Sequence, residues 1–197
     1  ARLRTVMDGL RERGLVDDGH FTDAGRATKD RVEDLTDELA AGAELLDTVL
    51  ADARRHLAGS ARERLGDWAR TRRLLGFGRA PRIVPVGEAW HVGVLLIADA
   101  EVYATGEILR ARAEAVRGYT AEAQRARSER AAAAVRGGFV DGEVLHLGAA
   151  EIDLDAVRRG AVSGPLALVD GIPLVTWTAA GARRPLADYL DDQLSLR

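Results

Sequence analysis

The chain has 197 residues, 47% of them hydrophobic and 30% charged, enough for one large domain or two small ones around a real core. Its formal net charge of −3 offers no global attraction to nucleic acid or anionic lipid. Cysteine is absent, which excludes disulfides, thiolate nucleophiles and cysteine-ligated zinc.

Leu3, Val6, Met7 and Leu10 recur at helical spacing, so a first helix is expected, with Gly14 where a helix terminator belongs. Leu15-Val16 and Phe21 flank Asp17-Asp18-Gly19-His20, and Asp-Gly between apolar residues predicts a tight hairpin. Thr22 or Asp23 then supplies the cap of a second helix. Val32, Leu35 and Leu39, then Leu46, Val49, Leu50, Ala53 and Leu57, carry a narrow apolar stripe through residues 23–58, interrupted only at Gly42. The stripe reads as one long helix or two stacked ones, and a helix of that length needs a partner helix, so a homodimer through 23–58 is expected.

Residues 54–82 hold nine arginines against Glu63 and Asp67. With Trp68 and Phe77 among them, these arginines suit phosphate tracking and base stacking. Their alternation with Leu57, Leu65, Trp68, Leu74 and Leu75 favours instead an amphipathic helix with a solvated face. "GFGRAP", residues 76–81, reads as a linker, which divides the chain into a helical part, 1–75, and a second part, 82–197.

Beyond the linker the periodicity turns to strands. "RIVPVG" (82–87) is a short β-branched strand, "HVGVLLIADAEVYATGEI" (91–108) a hairpin about an acidic turn, and "GEVLHLG" (142–148) another strand. "LALVDGIPLVTW" (166–177) is a second hairpin, whose Pro173 suggests that its second strand is an edge. An alanine-rich helix over 120–136, capped by Thr120 and stopped at Gly137-Gly138, and a short helix at 186–194 complete the pattern. The expected fold is α+β: a helical N-terminal part with a wing-like hairpin, then a small antiparallel-sheet domain with two or three helices.

"LRTVMDGLRERGLVDD" and "HFTDAGRATKDRV", within residues 3–40, resemble the trailing half of a winged helix-turn-helix domain of the MarR-like kind. The resemblance implies DNA contacts from Arg2, Arg4, Thr5, Arg11, Arg13 and His20, from a helix in the major groove and a wing on the backbone. Asp17 and Asp18 argue otherwise, placing two negative charges at the wing tip, and the two helices that ordinarily precede a recognition helix are missing from the sequence given. Residues 82–190, with "VGEAWHVGVLLIADAEVYATGE", "RAAAAVRGGF" and "SGPLALVDG", resemble an uncharacterised actinobacterial family sometimes labelled glutaminase. No cysteine, Ser-x-x-Lys pair or G-x-S-x-G elbow supports that label.

Other constellations are sparse. Glu88 and His91 fall on opposite sides of a strand, which weakens any catalytic use of Glu88, Trp90 and His91. His146 reads as a strand-surface or hydrogen-bonded core histidine. Glu151, Asp153 and Asp155 alternate as on one strand face, without the glycine-bent loop of a calcium site. His20, His56, His91 and His146 show no local ligand spacing, so neither metal nor cofactor is expected. No apolar run approaches the roughly 20 residues of a membrane span, and no secretory signal is evident, so a cytoplasmic location is expected. The first residue is Ala rather than Met, which leaves a start upstream of Ala1 open. Only Lys29 among 28 basic residues is lysine, a mark of GC-rich bacterial coding that reduces the weight of arginine abundance. The expectation is a bacterial regulator-like protein, a dimerising or DNA-binding helical part joined to an α+β domain that senses a ligand or partner. The alternatives are a small hydrolase-type enzyme in the α+β domain, or a purely structural interaction protein.

Overall fold

The first helix, α1 (Arg2–Glu12), stops where glycine is needed: Gly14 takes φ +68°, and Gly14 N–H and Leu15 N–H donate back to the carbonyls of Arg11 and Leu10. A two-residue hairpin follows, β1 (Val16–Asp17) and β2 (His20–Phe21), its turn made by Asp18 and Gly19, both at positive φ. The computed structural model describes residues 2–69, 80–113 and 122–196, with side chains from residue 5 onward.

Thr22 ties the hairpin to the next helix in two ways. Its hydroxyl donates to the Gly14 carbonyl at 2.7 Å, and the same oxygen accepts from Gly25 N–H at 3.0 Å. From this cap α2 runs unbroken from Asp23 to Leu57, so the 23–58 stripe is one helix of 35 residues rather than two stacked ones. Gly42 is no interruption. A Cβ there would lie 2.6 Å from the Gly171 carbonyl oxygen, so glycine is required by the close approach of another element.

Strands β3 (Glu63–Trp68), β4 (Ile83–Val92), β5 (Leu95–Ile97), β6 (Val102–Ala104) and β7 (Glu107–Arg110) follow. Next come helix α3 (Glu122–Arg136), strands β8 (Val144–Leu147) and β9 (Ala150–Glu151) and helix α4 (Leu154–Arg158). Strands β10 (Leu166–Val169), β11 (Ile172–Thr176) and β12 (Arg183–Pro185) precede helix α5 (Leu186–Ser195). The fold is α+β. Seven strands pair in the order β7-β8-β3-β4-β5-β6-β9, antiparallel except for the parallel β3–β8 pair, and a three-stranded antiparallel sheet pairs β10-β11-β12. Among the described residues the large sheet carries three hydrophobic clusters, a small one of Leu65, Ala89, Leu96 and Ala98 and two to which helices contribute. Leu46, Leu50 and Leu57 of α2 join Val92, Leu95, Ile97, Val102, Leu166, Val175, Leu186 and Leu190 in one. Ala133 and Ala134 of α3 join Ile83, Leu109, Phe139 and Leu145 in the other.

Several expectations are corrected. The 54–82 stretch is not a continuous amphipathic helix: α2 ends at Leu57, and residues 63–68 form β3, paired with β4 and β8. Residues 82–87 and the start of 91–108 belong to one strand, β4, because a tight turn at Gly93-Val94 comes earlier than the acidic turn that joins β5 to β6. The second strand of the 166–177 hairpin, β11, is central rather than an edge; β12 pairs no further than Leu174↔Pro185, so Pro173 sits just beyond its reach. Asp153 and Asp155 share no strand face with Glu151, because Asp153 caps α4 through a 2.8 Å bond from Ala156 N–H and Asp155 lies in that helix's first turn. Thr120 and most of "GFGRAP" lie outside the described residues.

Candidate nucleic-acid interface

The N-terminal helix–hairpin–helix positions the six residues singled out for DNA. Arg2, Arg4 and Thr5 lie on α1; the side chains of Arg2 and Arg4 lie outside the described residues, and Thr5 is exposed. Arg11 reaches Asp8 at 3.3 Å one helical turn away, and Arg13 donates through Nε to the Gly9 carbonyl at 2.9 Å. His20, on β2, lies with Nδ1 3.0 Å from the Asp18 carbonyl; a carbonyl only accepts, so Nδ1 carries the proton.

The local field is mixed. Asp17 and Asp18 are exposed at the hairpin tip, and Arg26 beside it donates to the Phe21 carbonyl at 2.7 Å and pairs with Asp23. Acidic residues outnumber basic ones ten to seven over 1–41, so any attraction to phosphate comes from placement rather than net charge.

The packing is thin. Among the described side chains of 5–41 only Val16 and Gly25 are buried, and a Cβ on Gly25 would lie 1.9 Å from the Leu15 carbonyl oxygen, so hairpin and helix touch backbone to backbone. Val6, Phe21, Val32 and Leu35 stay exposed.

Residues 1–71 match a helix-turn-helix family. No curated protein and no solved structure matches the chain. The helix-turn-helix match extends past α2 into β3, so it includes the segment joining the hairpin to the sheet.

Three arginines of the 54–82 stretch serve the fold. Arg54 donates to the carbonyls of Ala98 and Ala100 at 2.8 and 2.9 Å. Arg62 stacks 4.0 Å over the Trp90 ring and grips Asp99 at 2.5 and 2.9 Å. Arg64 stacks over Phe139 and pairs with Glu143 at 3.2 Å. These three cations already have partners within the chain, which weakens a phosphate-tracking role. Arg70, Arg72, Arg73 and Arg79 lie outside the described residues.

Glu88 and His91 diverge as strand geometry requires: Glu88 meets Arg62 at 3.6 Å, while His91 turns to the other face, where Glu63 and His146 stand. His146 is fully buried and bonded to Glu63. Desolvation lowers its pKa below the ordinary histidine value, its hydrogen bond to Glu63 opposing this. No helix among the described residues is long and apolar enough to cross a membrane.

Proposed function

We propose that the chain is a regulator-like protein of the winged helix-turn-helix kind, in which the N-terminal unit meets DNA as a dimer and the α+β part senses a ligand or partner. The observation that carries this reading is α2 itself. One unbroken helix holds the hairpin through Thr22 at one end and supplies Leu46, Leu50 and Leu57 to the α+β core at the other. On this reading α2 is the element through which a change in that core reaches the hairpin. The helix-turn-helix match supports the DNA half of the reading, and the exposed Val32 and Leu35, 56% and 49% accessible, support a second copy seated on the first half of α2. On this reading Arg2, Arg4, Thr5, Arg11, Arg13 and His20 supply the contacts, those on α1 toward the groove and His20 from the hairpin.

A mobility-shift titration with mixed-sequence duplexes at about 50 and 200 mM salt tests the DNA half; the expected result is a shift that weakens as salt rises. No shift at either salt sinks it and leaves an interaction role for the helix–hairpin–helix. Light scattering on the same chain and on Leu35→Asp tests the dimer, with a dimer expected for the first and a monomer for the second. A monomeric parent chain would remove the dimer from the proposal.

A further inference from the structure

We infer that Glu63, His91 and His146 form a site for one divalent transition-metal ion of the zinc class, with a coordination position open to solvent. The site is independent of the DNA reading. It also runs against the expectation from sequence spacing, because its three residues come from three different strands. Glu63 begins β3, His91 is next to last in β4 and His146 lies within β8; β3 pairs with both of the others. Pairing sets Leu65 opposite His146, and alternation along β3 puts Glu63 on the same face. One ligand atom from each residue falls within 4.8 Å of the other two. Glu63 stands between the imidazoles, Oε2 2.6 Å from His146 Nε2 and Oε1 3.6 Å from His91 Nδ1, and the rings meet edge to face at 4.6 Å.

The hydrogen bonds show what the cluster lacks. His91 Nε2 lies 2.9 Å from the Gly93 carbonyl oxygen, which can only accept, so the proton of the neutral ring sits on Nε2. Nδ1 is then a lone pair aimed at a carboxylate oxygen, which also only accepts. Two facing acceptors call for a cation between them, a proton or a metal. The Gly93 bond is also the kind of outer contact that orients a metal-binding imidazole and fixes its tautomer. On His146, Nδ1 is buried with no partner among the described residues, so nothing outside the cluster commits the ring's proton to Nε2.

The donor set selects the ion. Two imidazoles and one carboxylate match zinc-class preferences, whereas calcium and magnesium favour all-oxygen shells. Bonds of about 2.1 Å place the ligands of a four-coordinate ion roughly 3.4 Å apart, and the present separations bracket that distance. Small side-chain rotations therefore close the site. Three protein ligands leave a fourth position free, the arrangement of a catalytic or ligand-exchanging centre rather than a closed structural one. Solvent reaches it from one side, since the Glu63 and His91 side chains keep 36% and 25% of their exposure and His146 keeps none.

The test uses the full chain, stripped with a chelator and titrated with Co²⁺ as a spectroscopic probe and with Zn²⁺ by calorimetry. Expected are one ion per chain, visible ligand-field bands of a four- or five-coordinate site, and displacement of Co²⁺ by Zn²⁺. His91→Ala and Glu63→Gln, both at partly exposed positions, should each weaken binding by at least roughly 100-fold, a ligand being worth no less than the outer contacts that orient it. The variant His56→Ala, at a histidine outside the cluster, should bind as the parent does. Absence of saturable binding, or His91→Ala binding as tightly as the parent, overturns the proposal. The variants' unaltered far-UV dichroism and thermal midpoint without metal would separate ligand loss from misfolding.

Discussion

At the scale of the residue, acceptors and donors decide more than proximity in the chain. Glu88 and His91 are three residues apart and never meet, whereas Glu63 and His146, 83 residues apart, lie 2.6 Å from one another. The opposite facing of Glu88 and His91 is legible from strand alternation alone; the meeting of His91 with His146 is not, because no local spacing encodes it. Arg62 shows how a side chain that resembles a phosphate ligand in sequence is claimed by the fold. Its hydrogen bonds hold the Asp99 carboxyl below its ordinary value of 3.8. A carboxyl whose folded pKa lies below the unfolded one adds stability that is present above about pH 4 and is lost as pH falls through the folded value. The thermal midpoint of the parent should therefore exceed that of Asp99→Asn near neutrality, and the two should converge on acidification below pH 4. A gap that persists unchanged at low pH would show that charge is not its source.

Among the elements, α2 carries the clearest contrast. Its interior glycine looks like a weak point in sequence, since alanine is favoured over glycine in a helix by up to about 1 kcal/mol. At Gly42 the added methyl would meet the Gly171 carbonyl oxygen at 2.6 Å and Leu168 Cδ1 at 2.7 Å. Backbone cannot yield there without moving the β10–β11 turn, and overpacking of this kind costs about 1–3 kcal/mol. Gly42→Ala should therefore lower stability by about 1 kcal/mol net. Gly9→Ala in α1, where the nearest atom is the tip of Arg13 at 3.9 Å, should do the reverse. Urea unfolding of both variants measures the opposite signs, and a stabilised Gly42→Ala would refute the close approach. The helix itself, its Thr22 cap and the hairpins turning on Asp-Gly are readable from period and turn chemistry. β3 is not legible in the sequence because Glu-Arg-Leu-Gly-Asp-Trp has one leucine and no strand-like alternation; its pairing with β4 and β8 makes it a strand.

For the molecule as a whole, the two halves of α2 live in different surroundings. Leu50 is 1% exposed in the α+β core, while Leu35 is half exposed near the hairpin end. Leu50→Ala should cost about 2–5 kcal/mol in chemical unfolding, the usual range for a core leucine. Leu35→Ala should cost under about 0.5 kcal/mol in a dilute monomer, as surface substitutions do, and show itself as weakened self-association. Equal losses at the two positions in dilute solution would mean that Leu35 is buried within a single chain. The sparse burial over 5–41 makes the same point: this unit gains little from its own packing.

By itself the sequence determined what depends on neighbours along the chain: the α+β class, the first two helices and the hairpin between them, the strand segments at 142–148 and 166–177, and the closing helix. Propensity, capping and turn residues act over a few positions, so these features need no knowledge of the rest of the fold. Only the tertiary structure decided which strands lie side by side, that β3 pairs in parallel with β8, that Gly42 faces a turn 129 residues away, and that Glu63 joins two histidines. Strand pairing and core contacts depend on burial shared among distant segments, and that energy has no local signature in the order of the residues.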